Sequence, residues 1–353
     1  MLKYSYKIYS RANVFLGLLN PEKVATALSF SSRDGGQGQI RFNYISDFDN
    51  YSTTLIKGGN IIRIYEISDD EPTGRLLYTG FISQPAPYSK GGVQGIMITC
   101  LGLVSLLKQM YYYAGASYTK AYTAQDVAVI FRDIVANFNT RYGIALLSQD
   151  ITSIPNTGNT ATITFANKKL YDMADEAFRL VPDGYFWRID PDGKVYLQAY
   201  PATPTHRFVI NREISSLNAQ KDYEKIINQL VVNGSGVNGT YTDATSQTDY
   251  GIRESIESSD IAHQATLDDY GNGKVDNNKD FKLSVTFEVL AQKYDIGSIK
   301  VGDTCRVNNY KKDSEVFGSN MKIKRVDYTK DSVRIYIDEI QFFGETMRNF
   351  VNE

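Results

Sequence analysis

Histidine and cysteine are scarce in this chain, and their scarcity excludes much. The histidines are His206 and His263 alone, with no His-x-x-x-His spacing and no Cys/His cluster, so no sequence-local zinc site exists. The cysteines, Cys100 and Cys305, lie far apart in apolar, strand-like settings. Two thiols make no disulfide framework, and both are read as buried and free. An excess of positive charge is also missing: 38 basic residues stand against 40 acidic ones, a net charge of −2. Nothing here neutralises a phosphate backbone, which excludes nucleic-acid binding as the main function. No apolar run approaches the ~18 residues of a membrane-spanning helix. The first residues, Met1–Tyr9, alternate like a strand and lack the apolar centre of a signal peptide, so the chain is expected to be made and assembled in a cytoplasm.

Aromatic residues are plentiful instead: 26 Tyr and 17 Phe, with one Trp, Trp187. Tyrosine suits strands, and it suits interfaces because it joins area to a polar tip. With 42% hydrophobic and 22% charged residues the composition is globular. A length of 353 residues implies two to three domains.

Residues 1–108 read as short strands: Lys3–Tyr9, Val24–Ser31, Gln39–Ile45, Asn60–Ile67, Arg75–Ile82 and Gly95–Leu101. Turn signals separate them, among them Asp34-Gly35-Gly36, Pro72-Thr73-Gly74 and Lys90-Gly91-Gly92, and Leu103–Leu107 reads as a short helix. Such spacing predicts an antiparallel barrel or sandwich. Two helices follow. The first covers 123–142, with Thr123 as N-cap, Asp126 in the first turn and Gly143 as the stop; the second covers Lys169–Leu180 and ends at Pro182-Asp183-Gly184. Tyr185–Ile189 and Lys194–Tyr200, joined by Asp190-Pro191-Asp192-Gly193, predict a hairpin. After the linker Pro201–Pro204, strands are expected at Phe208–Asn211, Ile226–Asn233, Phe281–Leu290, Ile299–Asn308, Met321–Thr329 and Ser332–Glu339.

Two segments of the second half carry a resemblance. Ile226–Asn233 leads through a Gly-rich turn and a polar run to Tyr250-Gly251-Ile252-Arg253-Glu254, and later Ile299–Val307 contains Gly302-Asp303. This order resembles the hub proteins of phage tails and baseplates. Gly58–Tyr65, Leu76–Ile82 and Ile96–Cys100 resemble the family's first barrel, and the helix–strand–helix–hairpin with Trp187 resembles its inserted domain. The resemblance implies a β-rich α+β fold: two small antiparallel β-barrels like tail-tube subunits, an inserted α+β domain, and a polar insertion in the second barrel. The expected divisions are 1–110 for the first barrel and 111–204 for the inserted domain. The second barrel takes 205–240 and 295–353, and 241–294 is an insertion of uncertain fold. The resemblance further implies a homotrimer that presents six barrels to a hexameric tail tube and bounds the channel through which DNA leaves. Implied partners are the tube or a distal tail protein, a tape-measure protein, and a spike, fibre or tip protein. The implied location is the virion tail tip. The chain would be a minimal hub, or the hub of a phage-derived injection system.

Candidate chemistry is thin. Gly234-x-Gly236-x-x-Gly239 matches a dinucleotide fingerprint in letters, but a poor helix former follows it and no βαβ alternation surrounds it, so a turn is expected and no cofactor. Asp268–Asp276 places oxygen donors at calcium-loop positions 1, 5 and 9. Tyr270 and Lys279 break the pattern at positions 3 and 12, so a polar turn is expected, with a calcium loop as the functional alternative. No Gly-x-Ser-x-Gly elbow is present, and the carboxylates are scattered. No catalytic, cofactor or metal residue is named, and the chain is expected not to be an enzyme. The alternative from another class is a tail-associated peptidoglycan hydrolase or carbohydrate-binding adhesin. Ser32–Gly38 is read as a hairpin loop or as part of a ring's contact or lumen surface, and Tyr111–Tyr113 as packing at a domain seam or a subunit contact, with the seam favoured.

Overall fold

The structure, a computed structural model, describes residues 3–24, 28–33, 35–46, 55–67, 74–115, 117–181, 184–309 and 321–340. Asp34, Pro72-Thr73, Pro182-Asp183 and residues 25–27 of the expected strand Val24–Ser31 lie outside them.

Alternation of apolar and polar residues builds the first half. It comprises β1 (Lys3–Tyr9), β2 (Phe15–Leu19), β3 (Phe30–Arg33), β4 (Gly36–Ile45), β5 (Ile61–Ile67), β6 (Arg75–Lys90) and β7 (Val93–Gly102). They pair in the order β3-β4-β7-β6-β5-β1-β2. The expected strand Val24–Ser31 starts only at Phe30, and β2 was not foreseen. Its apolar side chains do not alternate with polar ones, so no period of two marks it. A one-turn helix, α1 (Val104–Leu107), ends this half.

An α+β unit follows: β8 (Thr119–Asp126), α2 (Val127–Tyr142), β9 (Thr160–Ala166), α3 (Leu170–Phe178), β10 (Tyr185–Ile189) and β11 (Val195–Ala199). The expected N-cap at Thr123 is corrected to Asp126. Residues 119–126 stay extended because they pair with β9, through to Asp126 opposite Thr160. One Asp126 oxygen then accepts the Ala128 and Thr157 N–H groups at 2.8 and 3.2 Å, and the other accepts Gly158 N–H at 2.9 Å. Burial raises the pKa of this carboxyl, but the three backbone donors together hold it below the usual carboxylate range. Asp126→Ala is expected to cost about 2 kcal/mol, at the upper end of N-cap losses, since donors from two segments are orphaned. Urea titration checks this. The sign for pH follows from the depressed value: the stabilisation is complete above the unfolded carboxylate pKa of ~3.9 and is lost as pH falls through the lower folded value. Wild-type stability should therefore fall more steeply below about pH 4 than that of Asp126→Asn.

The second half contains β12 (His206–Ile210), β13 (Ile214–Asp222), β14 (Gln229–Asn233), β15 (Asn238–Thr242), α4 (Ala244–Tyr250), β16 (Glu254–Ser258), α5 (Gln264–Asn278), β17 (Lys282–Leu290), β18 (Thr304–Asn309), β19 (Met321–Tyr328) and β20 (Ser332–Ile340). Six of these close a barrel in the order β18-β12-β13-β17-β20-β19, with β19 returning to β18. Pairing is antiparallel except at β12, which lies parallel to β18 and touches β13 at Ile210–Ile214 only. β19 also pairs with β3, so both halves share one thirteen-stranded sheet. One apolar core runs beneath both, from Ile8, Phe42 and Ile98 to Phe208, Phe287 and Ile335. Each such side chain contributes about 1.5–3 kcal/mol.

Ile226–Asn233, expected in the second barrel, does not pair with it. β14 joins β15 and β16 in a separate three-stranded sheet, with its own small core of Leu230, Val232, Tyr241, Ile261, Leu267 and Val275. Much of 241–278 is helix, where a polar run and a turn were expected. Asp243 caps α4 by accepting the Ser246 N–H at 2.8 Å. α5 succeeds despite weak propensity because Leu267, Gly271 and Val275 recur on one buried face.

Candidate functional site at the junction of the barrels and the inserted unit

Three segments distant in sequence meet around one carboxylate. Gly302 turns the chain into β18 at φ +90°, a left-handed conformation, and a Cβ there would lie 2.4 Å from the Phe186 ring. The turn aims Asp303 inward. Its Oδ2 accepts the Lys300 N–H at 2.8 Å and faces His206 Nε2 at 3.0 Å. An ionised carboxylate only accepts, so Nε2 donates to it, while Nδ1 shares a hydrogen bond with the Tyr294 hydroxyl at 2.9 Å. From the inserted hairpin, Arg188 donates to Asp190 at 2.6 Å and to the Val301 carbonyl, and stands 3.9 Å from the second Asp303 oxygen. Lys300 Nζ completes the cluster on Asp190 at 2.9 Å. Between 6 and 15% of the His206, Arg188, Asp190 and Asp303 side chains is exposed.

A second clasp joins the two halves directly. Arg75 on β6 donates to Asp295 at 2.8 and 2.6 Å and to Glu66 on β5. These bonds hold the Asp295 carboxyl below its usual range and the Arg75 guanidinium above its own.

Gly35, in the loop Ser32–Gly38, packs at the same junction. Its N–H donates to the Trp187 carbonyl at 3.0 Å, and a Cβ on Gly35 would sit 3.0 Å from the indole. Tyr112 is packed within the inserted unit, its hydroxyl donating to Asp133 at 3.1 Å, whereas Tyr111 is exposed.

Tyr294, His206 and Asp303 form a hydroxyl–imidazole–carboxylate chain, the connectivity of a catalytic relay. The adjoining cavity, lined by Arg188, Asp190, Lys300, Val301 and Tyr328, measures only about 30 Å³. That is room for one or two waters. The inserted hairpin is tied to the barrel by Arg188 on the Val301 carbonyl and by Lys300 on Asp190. A larger groove of about 390 Å³ lies between α3 and the β16–α5 segment. Its cations are already engaged, Lys168 with Glu176 and Asp260, and Arg179 with Asp175.

Neither sequence motif forms a ligand site. Gly234–Gly239 is the β14–β15 hairpin and is followed by a strand, so no helix N-terminus points at it. Asp268–Asp276 is not a loop, for α5 spans it. Asp268, Asn272 and Asp276 are spaced along successive turns and cannot converge on one ion, and Asp268 accepts from Tyr241 and Gln264 at 2.8 Å each. Among the described residues no group of three or more His, Cys, Asp or Glu side chains gathers as a metal site. Both thiols are buried and free, and burial pushes their pKa up.

Solved structures match almost the whole chain. The 43 kDa tail protein of prophage MuSo2 from Shewanella oneidensis superposes with a TM-score of 0.64 at 10% identity, over 96% of this chain and 98% of that one. The tail protein from Neisseria meningitidis MC58 gives 0.63 at 10%, over 96% and 97%. Prophage tail protein gp18 from Listeria monocytogenes EGD-e gives 0.58 at 10%, over 98% of each chain. The chain has the fold of phage tail proteins. No protein-family model matches its sequence, and no curated protein does. At such identity the tail-protein fold is shared by architecture alone.

Proposed function

We propose that this chain is a structural component of a phage tail tip: a hub, not an enzyme, that forms a homotrimeric ring, caps the hexameric tail tube and anchors tip proteins. The observation that carries the reading is the end-to-end likeness to three tail proteins, which leaves less than a twentieth of either chain unmatched in any pair. The two halves share one sheet and one core, and the second closes a six-stranded barrel; a trimer would offer six sheet-bearing halves to a six-fold tube. The tube or distal tail protein, the tape measure and a spike or fibre are its proposed partners, and the virion tail tip its location, after assembly in the host cytoplasm. The clasped junction suits a part that transmits load without bending.

Electron microscopy of the purified protein mixed with tail tubes tests this. Three-fold rings with a central hole, seated on tube ends, are expected. Tubes left bare by a well-folded protein would overturn the reading. A fall in turbidity of a peptidoglycan suspension would favour a wall hydrolase instead.

A further inference from the structure

Residues 227–279 form a body of their own. β14, β15, β16, α4 and α5 pack chiefly on one another, around Leu230, Val232, Tyr241, Leu267 and Val275, a core apart from those that serve the rest of the chain. Two short crossings join this body to the barrel. The β13–β17 ladder ends at Asp222 opposite Lys282. The body begins where the Ile227 N–H donates to the Asn278 carbonyl at 2.8 Å, and Lys279 is fixed to it through Asp243. Between those ties run Tyr223–Ile226 and Asp280-Phe281, side by side, with the Tyr223 and Phe281 rings 5.1 Å apart. Two adjacent crossings resist separation but not bending, because φ and ψ changes at a few loop residues are enough for a hinge.

On the side of α3, little holds the body down. The groove of about 390 Å³ lies between them. Among the described residues, Leu180 is the one apolar side chain of the inserted unit that reaches the body's core. The polar ties are Lys168, which donates to Asp260 at 2.6 Å while also holding Glu176 of α3, and Arg179, which approaches Tyr270. The Asp260 side chain is 59% exposed and that of Lys168 26%, so water and salt screen their attraction. A small, polar contact between units with separate cores leaves them free to move against each other.

We propose that residues 227–279 swing as one body about Tyr223–Ile226 and Asp280-Phe281, and that the Lys168–Asp260 pair is the latch that holds them against α3. The groove is the space that the swing widens. Lys168 suits a latch because it has a partner on each side: when Asp260 departs, Glu176 remains and no charge is stranded. Leu180 also packs against the core of the inserted unit, so parting uncovers little apolar surface.

Spin labels on Asp172→Cys and Ser258→Cys, exposed positions that line the groove from α3 and from β16, read the swing as a distance. The native thiols are buried and stay unlabelled. Asp260→Asn removes the latch charge and keeps the shape. It is expected to raise the ratio of open to closed forms about two- to five-fold, seen as growth of a longer distance. High salt should do the same to the latched protein and add little to Asp260→Asn. A second pair of labels within the body, on Thr240→Cys and Asp269→Cys, should keep one distance throughout. A single unchanged distance across the groove in every sample overturns the proposal. So does a broadened Thr240–Asp269 distance, which means that the body unfolds and does not swing. An equal response to salt with and without the Asp260 charge overturns the latch.

Discussion

Trp187→Ala is expected to cost about 3–5 kcal/mol, the range for emptying a buried large aromatic site. The indole is 1% exposed and sits where three elements meet. Phe131 of α2 approaches it edge-on at 5.7 Å between centroids, Tyr171 of α3 lies at 5.8 Å, and Gly35 of the first half closes the remaining side. The helices are fixed by their own neighbours and cannot all move in, so most of the cavity would persist. Because Trp187 is the chain's only tryptophan, the wild-type protein supplies its own probe. Native emission should be blue-shifted and should move to the red in one step with urea. Trp187→Phe should recover much of the loss in a chemical-denaturation series followed by circular dichroism. A loss below about 1 kcal/mol for the alanine variant would mean that the junction is not packed through this ring.

What could be read beforehand follows from periodicity. The strands of the first half were visible because one face of each is buried and the other is not, as in β1, whose alternation places Tyr6 and Ile8 inward. The hairpin around Trp187 was visible for the same reason, with turn residues to mark its bend. β8 and β2 were less legible. Thr119–Asp126 carries good helix formers at its end, and only pairing with β9 keeps it extended. β14 was recognised as a strand but assigned to the wrong sheet, since an apolar period of two does not name the neighbour. α5 was missed because Gly271, Asn272, Gly273, Asn277 and Asn278 are poor helix formers. The junction could not be read at all. Arg188, His206 and Asp303 are separated by long stretches of chain, and only Gly302-Asp303 signalled a special turn. His206 and Asp303 become partners because β12 and β18 lie side by side in parallel, with His206 opposite Cys305.

Asp303→Ala follows from that geometry, with an expected loss of about 3 kcal/mol, at the lower end for breaking one member of a buried charged cluster. The substitution takes the acceptor from His206 and from the Lys300 N–H, and removes the nearby negative charge from Arg188. Arg188 keeps Asp190 and the Val301 carbonyl, so its own charge is not stranded, which limits the cost. Asp303→Asn keeps an acceptor and the shape and should lose less, about 1–2 kcal/mol, the size of a charged hydrogen bond made neutral. The two variants therefore separate the hydrogen bonds from the charge. The loss should also have a place. The inserted unit contacts β18 and its turn through this cluster and through Phe186 on Gly302. Amide exchange in Asp303→Ala should then accelerate first in β10 and β11 and in the turn before β18, while β4 and β7, inside the first half, keep wild-type protection. Acceleration spread evenly over every strand would show instead that the cluster supports the whole sheet and does not act as a local clasp.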